Sequence, residues 1–352
     1  MRDVTLRDSA CWVEDYLECE NLTIENIKVR SNAAYNNDGI DIDGCKHVVV
    51  RGCDVDSEDD GICIKSRARI CEDVLVENCR VRSSCNALKL GTASAAGFKN
   101  ITCRNIEIYD TYHSGIALEV VDGGAMENVL VSHVNITNTS SAIFVRLGHR
   151  NAKGRAGSIR GVTIRDVAAE IPDRPKDQMN KFPEKTHAYK PVTLVTSSIT
   201  GQPGNPVQDV TLENISLVYG GIGSRAKPGQ NTGEQDKPLS WQKLADVPEK
   251  PDGYPDAHRF GVLPAWGFYC RHADGIKFKN VTLRVQGQDD RPALVCDDVK
   301  NLGLDGFHVL SAGSEPVIVL NDVQGATIDN SPAPPGAAPF IKTTGSTREI
   351  PE

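Results

Sequence analysis

"NLTIENI", Asn21 to Ile27, decides the fold, because the chain keeps returning to it. Related phrases begin at His47 (HVVVRGC), Asp73 (DVLVENC), Asn100 (NITCRNI), Asn128 (NVLVSHV), Gly161 (GVTIRDV), Asp209 (DVTLENI), Asn280 (NVTLRVQ) and Asn301 (NLGLDGF). The first five starts are 26, 26, 27 and 28 residues apart. Within each phrase apolar and polar residues alternate with period two, a strand signal, and Asn, Asp or Gly punctuate the strands as turn residues. No helical stretch separates the phrases. Short strands at a fixed period predict an all-β chain, a single-stranded right-handed parallel β-helix whose coils stack at about 4.8 Å.

A second strand follows in each early coil. In register the coils read Asp38-Gly-Ile-Asp-Ile, Asp60-Gly-Ile-Cys-Ile, Asn86-Ala-Leu-Lys-Leu, Ser114-Gly-Ile-Ala-Leu and Ser141-Ala-Ile-Phe-Val. Alternation turns Ile40, Ile42, Ile62, Ile64, Leu88, Leu90, Ile116, Leu118, Ile143 and Val145 inward. Asp41, Asp43, Cys63, Lys65, Lys89, Ala117, Glu119, Phe144 and Arg146 then face outward on a candidate groove. Residues 1–330 form one β-helix domain in this reading. Loops rich in Pro, Gly, Lys and Asp project near 172–206 and 220–264, and 331–352 is a loosely ordered tail. Trp241, Tyr254, Trp266 and Tyr269, in or after the second loop, are candidates for stacking on sugars or for packing that loop.

The 352 residues carry a net charge of −8 and only 5% aromatic residues, so Val, Ile and Leu must build the core. No basic stripe is present, which argues against nucleic acid as a partner. No window of 18 apolar residues exists to span a membrane. The opening residues, "MRDVTLRDSACWVEDYLECE", lack the positive-then-apolar layout of a secretion signal and read as the middle of a fold. They suggest an intracellular protein or an N-terminally shortened product. Eleven cysteines, nine of them between Cys11 and Cys103, include no CxxC. Cys45, Cys53, Cys63, Cys71 and Cys79 recur like small hydrophobes in stacked strands, so neither metal nor cofactor is expected.

Stacking sets Asp38 over Asp60, with Asp59 one residue before and Asp41 and Asp43 on the adjoining strand. Like charges at close range raise the pKa of at least one carboxyl. One protonated and one ionised carboxyl is what glycosidic hydrolysis needs, the first to protonate the leaving oxygen and the second to activate water. The alternative is that these are ordinary β-helix turn residues, Asp-Gly being a common turn pair.

Asn36-Asn37-Asp38-Gly39 and Glu58-Asp59-Asp60, with "CENLTIENIKV" at Cys19 and "CEDVLVENC" at Cys71, resemble the polygalacturonase family, glycoside hydrolase family 28, over about Trp12 to Asn151. That family has Asn-Thr-Asp at the first place and Asp-Asp at the second. The resemblance implies a pectin-lyase-like solenoid and inverting hydrolysis of α-glycosidic bonds in a pectic or related plant-wall polysaccharide or oligosaccharide. It implies Asp59 as general acid and Asp38 with Asp60 as activators of water, in a protein that is secreted or periplasmic. Two motifs of the family depart here. Its Gly-His-Gly is Cys85-Asn86-Ala87, so Asn86 stands where the supporting histidine belongs, and its Arg-Ile-Lys is Ala117-Leu118-Glu119.

Substrate contact therefore falls to Asn86, Asp41 and the neighbouring cations Lys65, Lys89 and Arg146, which either take over recognition of a uronate or offset Asp41 and Asp43. Arg271 and His272 in "YCRHADG", where a coil resumes, are further candidates for ligand contact or for turn structure. A monomer acting on carbohydrate is expected. Two other functions fit the sequence: a calcium-dependent polysaccharide lyase whose aspartates bind the ion, and a carbohydrate-binding β-helix without catalysis.

Overall fold

The alternating phrases fold as strands, each paired in parallel with its equivalent one coil later, so the chain winds as a right-handed parallel β-helix. The structure, a computed structural model, describes residues 1–151, 153–173, 192, 195–221, 238–310, 316–337 and 339–347. One ladder carries the repeat itself: Leu22, Val48, Val74, Ile101, Val129, Val162, Val210 and Ile276 are successive partners. The phrase read from Asn280 is out of phase with it, since Val281 pairs with Ile215 and the true counterpart starts at Gly275. Period-two alternation runs unbroken on both sides of a turn, so it does not reveal which side begins the phrase.

Asn and Asp residues recur at the corners because the chain bends there through the left-handed region. Asn78, Asn100, Asn105, Asn128, Asn214 and Asn280 all have φ between 51° and 56°, a conformation their short polar side chains tolerate. Those side chains bond from coil to coil, Asn128 to Asn100 at 2.7 Å and Asn100 to Asp73 at 2.9 Å.

The second ladder has the register expected, with Ile40, Ile62, Leu88, Ile116 and Ile143 as successive partners. The ten inward residues named above all lie in one continuous apolar core. Gly39 and Gly61 are required by packing, since a Cβ on either would stand 2.4 Å from a valine methyl and 2.6 Å from a carbonyl oxygen of the next coil. Neither has positive φ, so Asp-Gly here is not a turn device. Cys45, Cys53, Cys71 and Cys79 belong to that core, and all eleven cysteines are free thiols.

The outer face, read as a candidate groove, is covered over part of its length. Residues 238–265 cross it, with short 3₁₀ turns at Trp241–Asp246 and Ala257–Phe260. Leu244, Val247, Phe260 and Leu263 pack on Ala117, Phe144, Tyr269, Val295 and Val319 as a second apolar cluster. An outward Phe144 is thus covered, its ring 6.3 Å from that of Phe260. The loop expected over 172–206 ends early, because Ser197–Thr200 is a strand between Ser141–Leu147 and Phe268–Val285. The tail expected to be loose contributes Ile341–Thr344, paired with Ile318–Asn321. Of these loops and the tail, residues 174–191, 193–194, 222–237, 338 and 348–352 lie outside the described residues. Among the described residues no helix is long and apolar enough to cross a membrane.

Candidate active site

Three coils bring the carboxylates together through their backbones. Gly39 N–H donates to the Asp60 carbonyl, Gly61 N–H to the Asn86 carbonyl and Ala87 N–H to the Ser114 carbonyl, at 2.8, 2.8 and 3.0 Å. Asp38, Asp60 and Asn86 are thereby stacked at the same point of successive coils. Asn37 anchors the approach: its Oδ1 accepts from Ser31 Oγ and the N–H groups of Ala33 and Ala34, and its Nδ2 donates to the carbonyls of Ser9 and Cys11. That tie brings Trp12 over the site, with Lys65 Nζ 4.7 Å from its ring centre.

The result is a pocket of about 200 Å³ lined by Asp38, Asp59, Asp60, Lys65 and Lys89, with Trp12, Asn36, Arg67, Thr92 and Tyr254 as its walls. The acids are buried but not bare. Lys65 Nζ donates to Asp38 at 2.8 Å and Asp41 at 2.6 Å. Lys89 Nζ donates to Asp60 Oδ2 at 2.9 Å, while Asn86 donates to Asp60 Oδ1 through its backbone N–H at 3.2 Å and its amide at 3.0 Å. Asp43 is engaged by Arg67.

These partners split the two adjacent acids. Burial, reinforced by the charges of Asp60 and Asp38, pushes Asp59 up to about 8, so it holds its proton at neutral pH. Burial also opposes ionisation of Asp60, but the Lys89 charge and the hydrogen bonds from Lys89 and Asn86 outweigh it and hold Asp60 below the usual carboxylate range. Asp38 is raised by burial, with Lys65 pulling against it. Its Oδ1 is buried and has no hydrogen-bond partner among the described residues.

The substrate candidates divide. Lys65 and Lys89 line the pocket; Asn86 orients Asp60; Asp41 is sealed beneath Lys65. Arg146, Arg271 and His272 do not line it. Arg146 donates to the carbonyls of Glu249 at 2.6 Å and Lys250 at 3.2 Å; Arg271 donates to the Val247 carbonyl at 2.9 Å and pairs with Glu249 at 2.8 Å; His272 Nε2 lies 3.0 Å from Glu249 Oε1. Among the four aromatics, Trp266 and Tyr269 are buried, Trp241 packs on the second apolar cluster, and Tyr254 is 45% exposed at the pocket. Arg67 was legible, since it continues the outward parity of Cys63 and Lys65. Asn36 lies inside the quoted motif. Tyr254 gives no local signal, because only the path of 238–264 carries it there.

The sequence profile of glycosyl hydrolases family 28 matches residues 1–231. Among solved structures, a hyperthermoactive exopolygalacturonase from Thermotoga maritima is similar with a TM-score of 0.51 and 22% identity, over 62% of this chain and 47% of that one. The family 28 exopolygalacturonase of Yersinia enterocolitica aligns with a TM-score of 0.44 and 13% identity, over 94% of this chain and 45% of that one. The chain spans about half the length of either. No curated protein matches.

Proposed function

The chain belongs to glycosyl hydrolases family 28, and from that premise we propose that it hydrolyses α-glycosidic bonds of pectic oligosaccharides with inversion. The observation that carries this reading is the split between neighbours: Asp59 protonated to about 8 and Asp60 held ionised in one pocket. Asp59 gives its proton to the glycosidic oxygen as the bond to the anomeric carbon breaks. Water attacks the opposite face of the sugar and loses its proton to Asp38 or Asp60, a single displacement that inverts configuration. Asp38 Oδ1, which has no hydrogen-bond partner among the described residues, is suited to receive that proton.

Arg67 at the mouth, with the buried Lys65 beneath it, supplies positive charge for a uronate in place of the Arg-Ile-Lys absent at 117–119. Glu119, which stands there instead, is raised to about 8 by burial and so adds no charge against an acidic sugar at neutral pH. At about 200 Å³ the pocket is below the 300–1,000 Å³ usual for enclosed ligand sites, and 238–265 covers the sheet beyond it. Both favour binding the end of a chain. Arg146, Arg271 and His272 serve the same end by gripping 247–250.

A calcium-dependent lyase is disfavoured because the ammonium groups of Lys65 and Lys89 sit between the carboxylates such an ion would need. The carboxylates keep Lys65 charged despite burial, which leaves it no lone pair to abstract a proton. The test is digestion of saturated oligogalacturonates. Monomer release with new reducing ends and no ultraviolet absorbance is expected; an unsaturated product would overturn the reading.

A further inference from the structure

Outside the carboxylate pocket, "DGYPDAHRF", Asp252 to Phe260, puts Asp256 and His258 two residues apart on the covering segment. His113 immediately precedes the strand Ser114–Val120 of the β-helix. The fold brings the three together. Asp256 Oδ2 lies 3.2 Å from His113 Nδ1, and Asp256 Oδ1 lies 2.9 Å from His258 Nδ1. The two imidazole centres are 4.8 Å apart and tilted by 49°. His113 and Asp256 are only 4% and 5% exposed.

Two features separate this cluster from an ordinary ion pair. Asp256 is the N-cap of Ala257–Phe260, where an Asp side chain normally accepts from the first backbone N–H groups. It makes no such bond and turns toward the imidazoles instead. Asp256 Oδ1 and His258 Nδ1 are both buried and lie 2.9 Å apart, but they are poorly aligned for a hydrogen bond and neither has another partner among the described residues. Buried polar atoms ordinarily find partners, and convergent lone pairs that do not bond one another have the arrangement of ligands to one cation.

We propose that His113, Asp256 and His258 bind a divalent transition ion of the zinc class, which fastens the covering segment to the β-helix beside the active site. Two imidazoles and one carboxylate suit zinc, whereas calcium and magnesium prefer an all-oxygen shell. The buried cation Lys89, whose charge reaches His113 and Asp256, is engaged by Asp60 at 2.9 Å. The consequence for the pocket is local. Tyr254, two residues before Asp256, reaches within 3.4 Å of Lys89 Nζ through its hydroxyl, so the ion holds that wall in position and takes no part in bond cleavage.

The full chain, stripped with chelator and dialysed, is titrated with Zn²⁺ by calorimetry and followed by thermal unfolding. One equivalent per chain and a raised midpoint are expected. Asp256→Asn, close to isosteric, and His258→Ala, at a partly exposed position, should each weaken Zn²⁺ binding at least about tenfold and remove the rise in midpoint, with the β-sheet circular dichroism retained. Asp60→Asn should bind Zn²⁺ as the wild type does. The proposal fails if the wild type takes up no Zn²⁺, if both cluster variants keep wild-type affinity, or if Asp60→Asn is the variant that loses the ion.

Discussion

Replacing Asp59 by Asn tests acid catalysis and burial at once. The side chain of Asp59 keeps its place by accepting from the Asp60 N–H at 2.8 Å through Oδ1, a bond that Asn also makes. Activity on oligogalacturonate should fall by about 10²–10⁴, the usual range for a positioned general acid. Stability should move the other way. Asp59 is raised to about 8 from an ordinary value of 3.8, so between those limits the folded chain holds a proton that the unfolded chain has released. Stability from this group is complete below about pH 3.8 and is lost as pH climbs to about 8, at about 1.4 kcal/mol for each pH unit. The full loss is at most about 6 kcal/mol. The variant has nothing to ionise, so its stability relative to wild type should rise steadily from pH 4 to 8 and level off above. Urea unfolding of both proteins across that range measures the difference, and effects of other groups largely cancel. Parallel curves, or an activity loss below tenfold, would refute the assignment.

Lys89→Met leaves Asp60 buried without its ammonium and should cost about 3–5 kcal/mol; adding Asp60→Asn should restore most of that in a double-mutant cycle read by urea unfolding, while activity stays lost in both. Gly61→Ala drives a Cβ to 2.4 Å from Val81 Cγ1 and 2.6 Å from the Ala87 carbonyl, and should lower stability by about 1–3 kcal/mol or more; an unchanged urea midpoint would contradict the close-packing account of the Asp-Gly pair. Phe260→Ala removes the ring seated against Phe144 and should weaken closure of the covering segment by about 3 kcal/mol. Limited proteolysis should then cut within 238–264 roughly 100-fold faster with circular dichroism unchanged, and KM for oligogalacturonate should rise as Tyr254 is released.

The β-helix and the register of its acid-bearing coils were legible because both rest on local patterns. Period-two alternation and corner Asn residues need no knowledge of distant parts of the chain, and Ile40, Ile62, Leu88, Ile116 and Ile143 fell into line from them alone. The covering segment was not legible for the opposite reason. Leu244, Val247 and Phe260 bind a face built 100 or more residues earlier, at Ala117 and Phe144, and nothing within 238–264 has a period that announces a partner. An outward Phe144 was the one signal available, since an apolar ring at an exposed parity needs a cover. The same blindness hid Tyr254, and it made Arg146, Arg271 and His272 read as ligand contacts when their donors turn to the backbone and carboxylate of 247–250.

Stacked acids pose a problem of charge that the alternation itself resolves. In a parallel ladder, residues of the same parity on successive coils are neighbours, so Asp41 stands beside Cys63 and Asp43 beside Lys65, with Lys89 one coil further. Each cation reaches back to an acid of an earlier coil: Lys65 to Asp38 and Asp41, Lys89 to Asp60, Arg67 to Asp43. Asp59 and Asp60 both precede the strand Ile62–Ser66, yet they titrate in opposite directions. Burial dominates the titration of Asp59, and the charges of Asp60 and Asp38 add to burial, with Lys89 opposing them only in part. Two aspartates adjacent in sequence therefore end with opposite protonation states at pH 7, one hydrogen-bonded by Lys89 and Asn86 and the other raised by burial and its acidic neighbours. That asymmetry depends on the coil-to-coil register, so a change that shifts the register of Leu88–Ser94 against Ile62–Ser66 should erase the split between Asp59 and Asp60 while leaving every acid in the chain.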